Sequence, residues 1–218
     1  ALPDGVDFDT AAAVFLKGAT VEYLVQRLYA LQAGQTTLFH AAAGGVGLLF
    51  GQWAKSLGVE VIGTVGSEAK RQLALAHGYA HCLLRDADDV VETVREITGG
   101  AMLPVVYDGV GAATFTQSLD CLAPRGLMVS FGNASGPPPP FDLQQLAARG
   151  SLFITRPTLM SYVATTEELR QCAKAVFDRV LDGTLTVTIE QRYPLAEVQR
   201  AHVELQARRT VGSSLLVP

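Results

Sequence analysis

The segment that most restricts what this chain can fold into is residues 36–47. There Thr36-Thr37-Leu38-Phe39-His40 runs into Ala41-Ala42-Ala43-Gly44-Gly45-Val46-Gly47, followed by Leu48-Leu49-Phe50-Gly51-Gln52-Trp53-Ala54-Lys55. A β-branched and aromatic run that stops at a glycine turn predicts a buried strand, and the apolar spacing after it predicts a helix. Such a turn has no side chains in the way, so backbone N–H groups at the helix N-terminus can meet an anion, which the helix dipole favours. Ala42, Gly44 and Gly47 spell A-x-G-x-x-G, one glycine short of the dinucleotide fingerprint. Two readings stand on these residues alone: a pyrophosphate cradle, and a plain glycine turn in a parallel α/β domain.

The rest of the chain repeats the unit. Residues 9–31 predict one or two helices, N-capped by Asp9 or Thr10 and interrupted near Lys17-Gly18-Ala19-Thr20. Strands are expected at 59–65, 80–84, 103–108, 126–132 and 151–155. Helices are expected between them, from Ser67 to Ala76, from Asp88 or Asp89 to Ile97, and near 113–122 and 143–148. Strands that alternate with helices require a parallel sheet covered on both faces. The expected fold class is therefore α/β, a Rossmann doubly wound six-stranded parallel sheet with a C-terminal helix/strand tail. The rhythm changes after Arg156-Pro157, beyond which a helix at 166–181, a strand near 186–192, a helix near 195–207 and a strand at 213–217 do not extend the series. The expected division is linker helices over 1–31, a nucleotide domain over 32–156 and a tail over 157–218. The four prolines from Pro137 to Pro140 read as a loop or spacer.

Composition removes several function classes. At 218 residues and 49% hydrophobic the chain can bury a good core. A net charge of −4, with no lysine/arginine cluster, argues against nucleic acid as principal partner. No apolar run reaches the ~20 residues of a membrane span. Cys82, Cys121 and Cys172 are odd in number and never paired as C-x-x-C, which predicts reduced thiols and a cytoplasmic protein. His40, His77, His81 and His202 have no ligand partners at metal-binding spacing, so no metal is expected.

The second strand bears on which nucleotide. A domain built for NAD places an acid at its tip to accept the adenosine ribose hydroxyls. Here the tip reads Val65-Gly66-Ser67, with Lys70 one helical turn on and Arg85 after the third strand. A small hydroxyl, backbone donors and cations suit a 2′-phosphate. Ser67 as a simple N-cap and Lys70 as a solvated lysine remain the alternative, and the missing acid favours NADP(H).

With these residues in view the chain resembles the NADPH-dependent quinone oxidoreductases of the zeta-crystallin type, in the medium-chain dehydrogenase/reductase superfamily. The similarity is carried by Ala11-Ala12-Ala13, Leu16-Lys17-Gly18-Ala19-Thr20, residues 39–47, Gln52-Trp53-Ala54-Lys55, Val106-Tyr107-Asp108-Gly109-Val110-Gly111, residues 130–136, residues 155–159 and Ala207-Arg208-Arg209-Thr210. Ala42 at the first glycine position is usual in that family. The resemblance implies NADP(H) as cofactor and a quinone or activated enone as substrate, reduced without zinc. It implies Thr20 and Tyr23 near the nicotinamide, Gly45 and Val46 on the pyrophosphate beside Gly44 and Gly47 of the glycine motif, and Gly66, Ser67 and Lys70 at the 2′-phosphate, where the topology would also place Arg85. Family members often carry a tyrosine where Arg85 stands. Phe131, Gly132, Asn133 and Ala134 would flank the nicotinamide ribose, Pro157, Thr158 and Leu159 the nicotinamide side, and Arg208 would reach the cofactor from the tail. No side chain is assigned as acid, base or nucleophile.

The family also has an N-terminal barrel-like domain, on the order of a hundred residues, that supplies the other wall of its cleft. Ala1-Leu2-Pro3-Asp4-Gly5 matches the junction after it, so the chain reads as the C-terminal two thirds and is expected to be inactive alone. A homodimer through sheet-edge strands near residues 151–155 is implied as well. The competing expectations are a non-catalytic NADPH-binding module and a methyltransferase-like sheet, which would need an acid ending the second strand. A short-chain dehydrogenase is disfavoured, since none of the six tyrosines has a lysine four positions on.

Overall fold

A computed structural model describes residues 1–207 and 209–218. The elements in chain order are α1 (Phe8–Glu22), β1 (Thr36–His40), α2 (Gly45–Ser56), β2 (Glu60–Val65), α3 (Glu68–Ala76), β3 (His81–Leu84), α4 (Val90–Ile97), β4 (Leu103–Asp108), α5 (Phe115–Asp120) and β5 (Leu122–Ser130). They continue with α6 (Gln144–Ala148), β6 (Phe153–Thr155), α7 (Leu159–Tyr162), α8 (Thr166–Leu181), β7 (Ile189–Pro194), α9 (Val198–Gln206) and β8 (Ser213–Val217).

The first six strands form one sheet in the order β3-β2-β1-β4-β5-β6, every neighbouring pair parallel. This is the doubly wound Rossmann order, and the direction of winding reverses between β1 and β4. Successive side chains on a strand point to opposite faces, so each buried strand feeds two cores. Phe39, Val61, Val105, Tyr107 and Val129 face one core, with Phe50 and Trp53 of α2, Val14 of α1 and Val176 of α8. Leu38, Ile62, Val106 and Met128, their sequence neighbours, face the other with Val90 and Val94 of α4 and Leu119 of α5. No described helix is long and apolar enough to cross a membrane.

Two local expectations are corrected at the front of the chain. Asp7, not Asp9 or Thr10, caps α1, its Oδ1 accepting Thr10 N–H at 2.7 Å. Lys17-Gly18-Ala19-Thr20 does not interrupt the helix either: α1 runs through to Glu22 and passes into a π-helical turn at Tyr23–Leu28. Gly18 is there for close approach, because a Cβ on it would stand 2.7 Å from Cγ1 of Val176 on α8. Two strands are also displaced: β5 starts at Leu122 and ends at Ser130, and β7 starts at Ile189.

The tail returns to the six-stranded half. Thr165 and Glu168 form a reciprocal capping box at the start of α8. The Gln52 amide then clasps Thr186, accepting its N–H at 2.8 Å and donating to its carbonyl at 3.1 Å. β7 and β8 pair in parallel as a separate two-stranded sheet, and Gly212 bridges back to Gly44.

The Gly18 contact has a measurable consequence. Gly18→Ala is expected to lower unfolding stability in urea by about 1–3 kcal/mol through overpacking, despite alanine's better helix propensity. Combination with Val176→Ala is expected to cost less than the sum of the two single changes; strict additivity would show that the α1–α8 approach is not limited by this pair.

Candidate functional site

The site is built at the C-terminal ends of β1, β2 and β4, beside the switch point. β1 ends at His40, and Ala41 takes a left-handed conformation (φ 59°), a strained choice for a residue with a Cβ. Its carbonyl accepts Gly44 N–H at 2.9 Å, closing the turn, and Gly44 caps α2 without any side-chain hydrogen bond. The first N–H groups of α2 thus have no acceptor in their own helix and none from a cap. Gly47 lies beneath the turn, where a Cβ would meet the Ala42 and Ala41 carbonyl oxygens at 2.5 and 2.6 Å.

Ala42 now has a physical explanation. Its side chain is fully buried, and Gly63 on β2 lies opposite: a Cβ on Gly63 would stand 2.7 Å from the Ala42 Cβ. The glycine missing from the turn has in effect moved to the neighbouring strand.

At the tip of β2 the Ser67 hydroxyl accepts Lys70 N–H at 3.4 Å as the N-cap of α3. Lys70 has no carboxylate partner among the described residues. The Arg85 guanidinium comes within 3.9 Å of where a Gly66 side chain would begin. It is held by Asp86 through Nε–Oδ1 at 2.9 Å and Nη2–Oδ2 at 2.8 Å.

These pieces enclose one cavity of about 480 Å³. Of the residues expected from the sequence, it brings together Gly44, Gly45, Gly66, Ser67, Lys70, Arg85 and Ala134. Val46 and Gly47 sit in the first turn of α2 behind that wall. The remaining expected residues do not line it. Thr20 donates its hydroxyl to the Leu16 carbonyl. Tyr23 is buried and stacked on Tyr162 at 4.5 Å, its phenol pushed up to about 12 chiefly by burial. The Phe131 ring covers Gly109, where a Cβ would meet it at 2.8 Å, and Gly132 lies against the Gly109 carbonyl. Asn133 is exposed and accepts Gly136 N–H with its backbone carbonyl. Pro157 is buried, Thr158 caps α7 and Leu159 opens it. Arg208 lies outside the described residues.

The cavity wall also contains residues that sequence reasoning missed: Ala41, Ala43, Thr64, Val65, Val110, Leu205, Thr210 and Gly212. Thr64 and Val65 were traceable as the end of a strand already aimed at the site. Thr210 stands in the Ala207-Arg208-Arg209-Thr210 segment but carried no role there, and Gly212 had no local signal, since it arrives through the tail. The half-buried stem of Lys17 lies against Gly45, and its ammonium donates to Ser213 Oγ at 2.8 Å, which seats this segment beside the glycine turn.

Beneath the cavity a layer of buried polar groups crosses the strand ends. The Asp108 carboxylate accepts N–H groups of Val110 and Gly111 at 2.8 and 3.0 Å and the hydroxyls of Thr114 and Ser118 at 2.8 and 2.7 Å. This network fixes the loop carrying Val110. Beside it, His40 is fully buried and its Nδ1 lies 2.9 Å from Thr64 Oγ1. Burial drives the imidazole down to about 4; Asp108 opposes that shift and Arg85 adds to it. Burial likewise pushes Cys82 up to about 11 and Cys121 and Cys172 to about 12, so all three remain thiols at neutral pH. The described residues bring no three histidine, cysteine, aspartate or glutamate side chains into a group that could hold a metal.

Known proteins share this arrangement. Residues 45–178 match the family described as zinc-binding dehydrogenase. A quinone oxidoreductase of Pseudomonas aeruginosa is 54% identical across all of this chain and 67% of its own length. A 2-haloacrylate reductase of a Burkholderia species is 41% identical across all of this chain and 66% of its own. The crystal structure of Escherichia coli quinone oxidoreductase complexed with NADPH superimposes with a TM-score of 0.97 at 49% identity, again over the whole chain and 67% of that protein. The chain belongs to the zinc-binding dehydrogenase family of oxidoreductases, on the branch occupied by quinone oxidoreductases. It spans about two thirds of the length of these relatives.

The buried imidazole makes stability depend on pH. Because the folded-state value lies below the ordinary 6.5, His40 contributes fully above that pH, and its contribution is lost as pH falls from 6.5 towards 4. Unfolding free energy is expected to drop by roughly 1 kcal/mol per pH unit across this window. His40→Gln should flatten the slope between pH 6.5 and 5, and an unchanged slope there would show that another group carries it.

Proposed function

We propose that this chain is the NADPH-binding part of a reductase of quinones or activated enones. The carrying observation is the adenosine end of the cavity, where Ser67, Lys70 and Arg85 gather at a strand tip that has no acid. The site fits the cofactor: Gly44, Gly45 and Gly66 leave a backbone-lined trough, with helix N–H groups at one end and two cations at the other. NADPH complexed with the E. coli relative supports the same cofactor here, and the 2-haloacrylate relative supports an activated alkene beside quinones as substrate.

In this reading Gly44, Gly45, Val46 and Gly47 hold the pyrophosphate, and Gly66, Ser67, Lys70 and Arg85 hold the 2′-phosphate. Thr20, Tyr23, the Phe131-Gly132-Asn133-Ala134 loop, Pro157, Thr158, Leu159 and Arg208 serve the nicotinamide half. Bound NADPH supplies the reducing equivalents. The protein positions and excludes water; the Tyr23 phenol, held near 12, stays protonated at neutral pH and is not a base. The chain is read as linker helices over 1–31, the NADP domain over 32–156 and a tail over 157–218 that packs on a further catalytic domain. A homodimer through β6 is part of the same reading, supported by its place at the sheet edge and by Phe153, 61% exposed on it. The three free, buried cysteines suit a cytoplasmic location.

A non-catalytic NADPH-binding role is the second reading, favoured by a described cavity wall that carries no acid, histidine or tyrosine. Calorimetric titration separates the possibilities. NADPH is expected to bind at least tenfold more tightly than NADH, and Lys70→Ala to weaken NADPH roughly tenfold or more while leaving NADH unchanged. Equal affinity for the two nucleotides would overturn the NADPH assignment; binding with no turnover of any quinone or enone would support the second reading.

A further inference from the structure

The two cations at the adenosine end are not equivalent. Lys70 projects from α3 with no carboxylate partner among the described residues. Arg85 already has an anion: both Nε and Nη2 are engaged by the two oxygens of Asp86, the fork-to-fork arrangement in which a guanidinium best grips a carboxylate or a phosphate. The other acid nearby, Glu68 at the start of α3, is turned to Gln72 and Arg71 and leaves Arg85 alone. Asp86 therefore occupies the Nε–Nη2 edge of Arg85, whose Nη2 lies towards Gly66, and its negative charge offsets much of what Arg85 adds to the cavity.

The pairing is strong enough to orient and weak enough to exchange. The Asp86 side chain is 74% exposed and that of Arg85 31%. Ion pairs that open to water contribute little to stability, so a dianionic ligand that also meets Lys70 and the Ser67 end of α3 can compete for the guanidinium.

We propose that Asp86 competes with the cofactor's 2′-phosphate for Arg85 and thereby sets how strongly this chain prefers NADPH over NADH. The inference rests on the reading of the site as an NADPH pocket and adds a specificity-determining residue to it. Asp86 lowers NADPH affinity without touching the nicotinamide half, and a ligand without the 2′-phosphate is indifferent to it.

The test is calorimetric titration of the parent chain, Asp86→Asn, Arg85→Ala and the double variant with NADPH, NADH and 2′,5′-ADP. Thermal melts serve to confirm that each variant is folded. Asp86→Asn is expected to bind NADPH and 2′,5′-ADP about two- to fivefold more tightly, the range that one exposed ion pair can account for, with NADH unchanged. Arg85→Ala should weaken both phosphorylated ligands and abolish the effect of Asp86→Asn in the double variant. Unchanged or weaker NADPH binding by Asp86→Asn, in a chain whose affinity still depends on Arg85, would overturn the competition alone. A gain that persists without Arg85 would also overturn it, since Asp86 would then act by another route. No preference for NADPH in the parent would instead bring down the functional reading itself.

Discussion

The close approach of α2 to the ends of β1 and β2 is the constraint on which the rest of the structure depends. A helix start can be brought over a parallel sheet only where side chains are absent at the crossing. Gly47 meets the Ala41 and Ala42 carbonyls there, Gly63 meets Ala42, and Gly51 lies against the Tyr79 ring, where a Cβ would stand 2.5 Å away. The Tyr79 hydroxyl completes the junction by donating to the Gly47 carbonyl at 2.8 Å. With the helix seated this closely, its free N–H groups open onto the crevice between β1 and β4, the place where doubly wound sheets bind ligands.

Chemistry at that crevice is divided by depth. The buried layer contains Asp108, whose carboxylate accepts from the Val110 and Gly111 N–H groups and from the Thr114 and Ser118 hydroxyls, and a neutral His40 bonded to Thr64; together they shape the floor. The accessible layer carries Lys70 and the Arg85–Asp86 pair beside Ser67. Orientation is set where dielectric is low and partners are fixed, while affinity for an anion is set where groups can exchange partners with water.

Much of this was legible from the residues in order. The A-x-G-x-x-G turn, the acid-free tip of the second strand and the cap at Ser67 are local patterns, and each is where the structure has it. Gly18 was misleading for a physical reason. A glycine within a helix can mark a break or a contact, and only Val176, distant in sequence, shows that it is a contact. Arg85 and Asp86 are adjacent in sequence, yet nothing in that adjacency reveals that the guanidinium turns its forked face to the carboxylate.

What the sequence determined by itself was the alternation of strands and helices, the glycine turn and the residue types at the strand tips, because these follow from periodicity and backbone freedom within a few residues. The tertiary structure decided which distant positions meet. It set Ala42 against Gly63, drew Thr186 to Gln52, brought Gly212 to Gly44 and turned Arg85 towards Asp86 above Gly66. Those choices depend on strand register and helix seating across the whole sheet, and both are settled by packing that no short stretch of chain encodes.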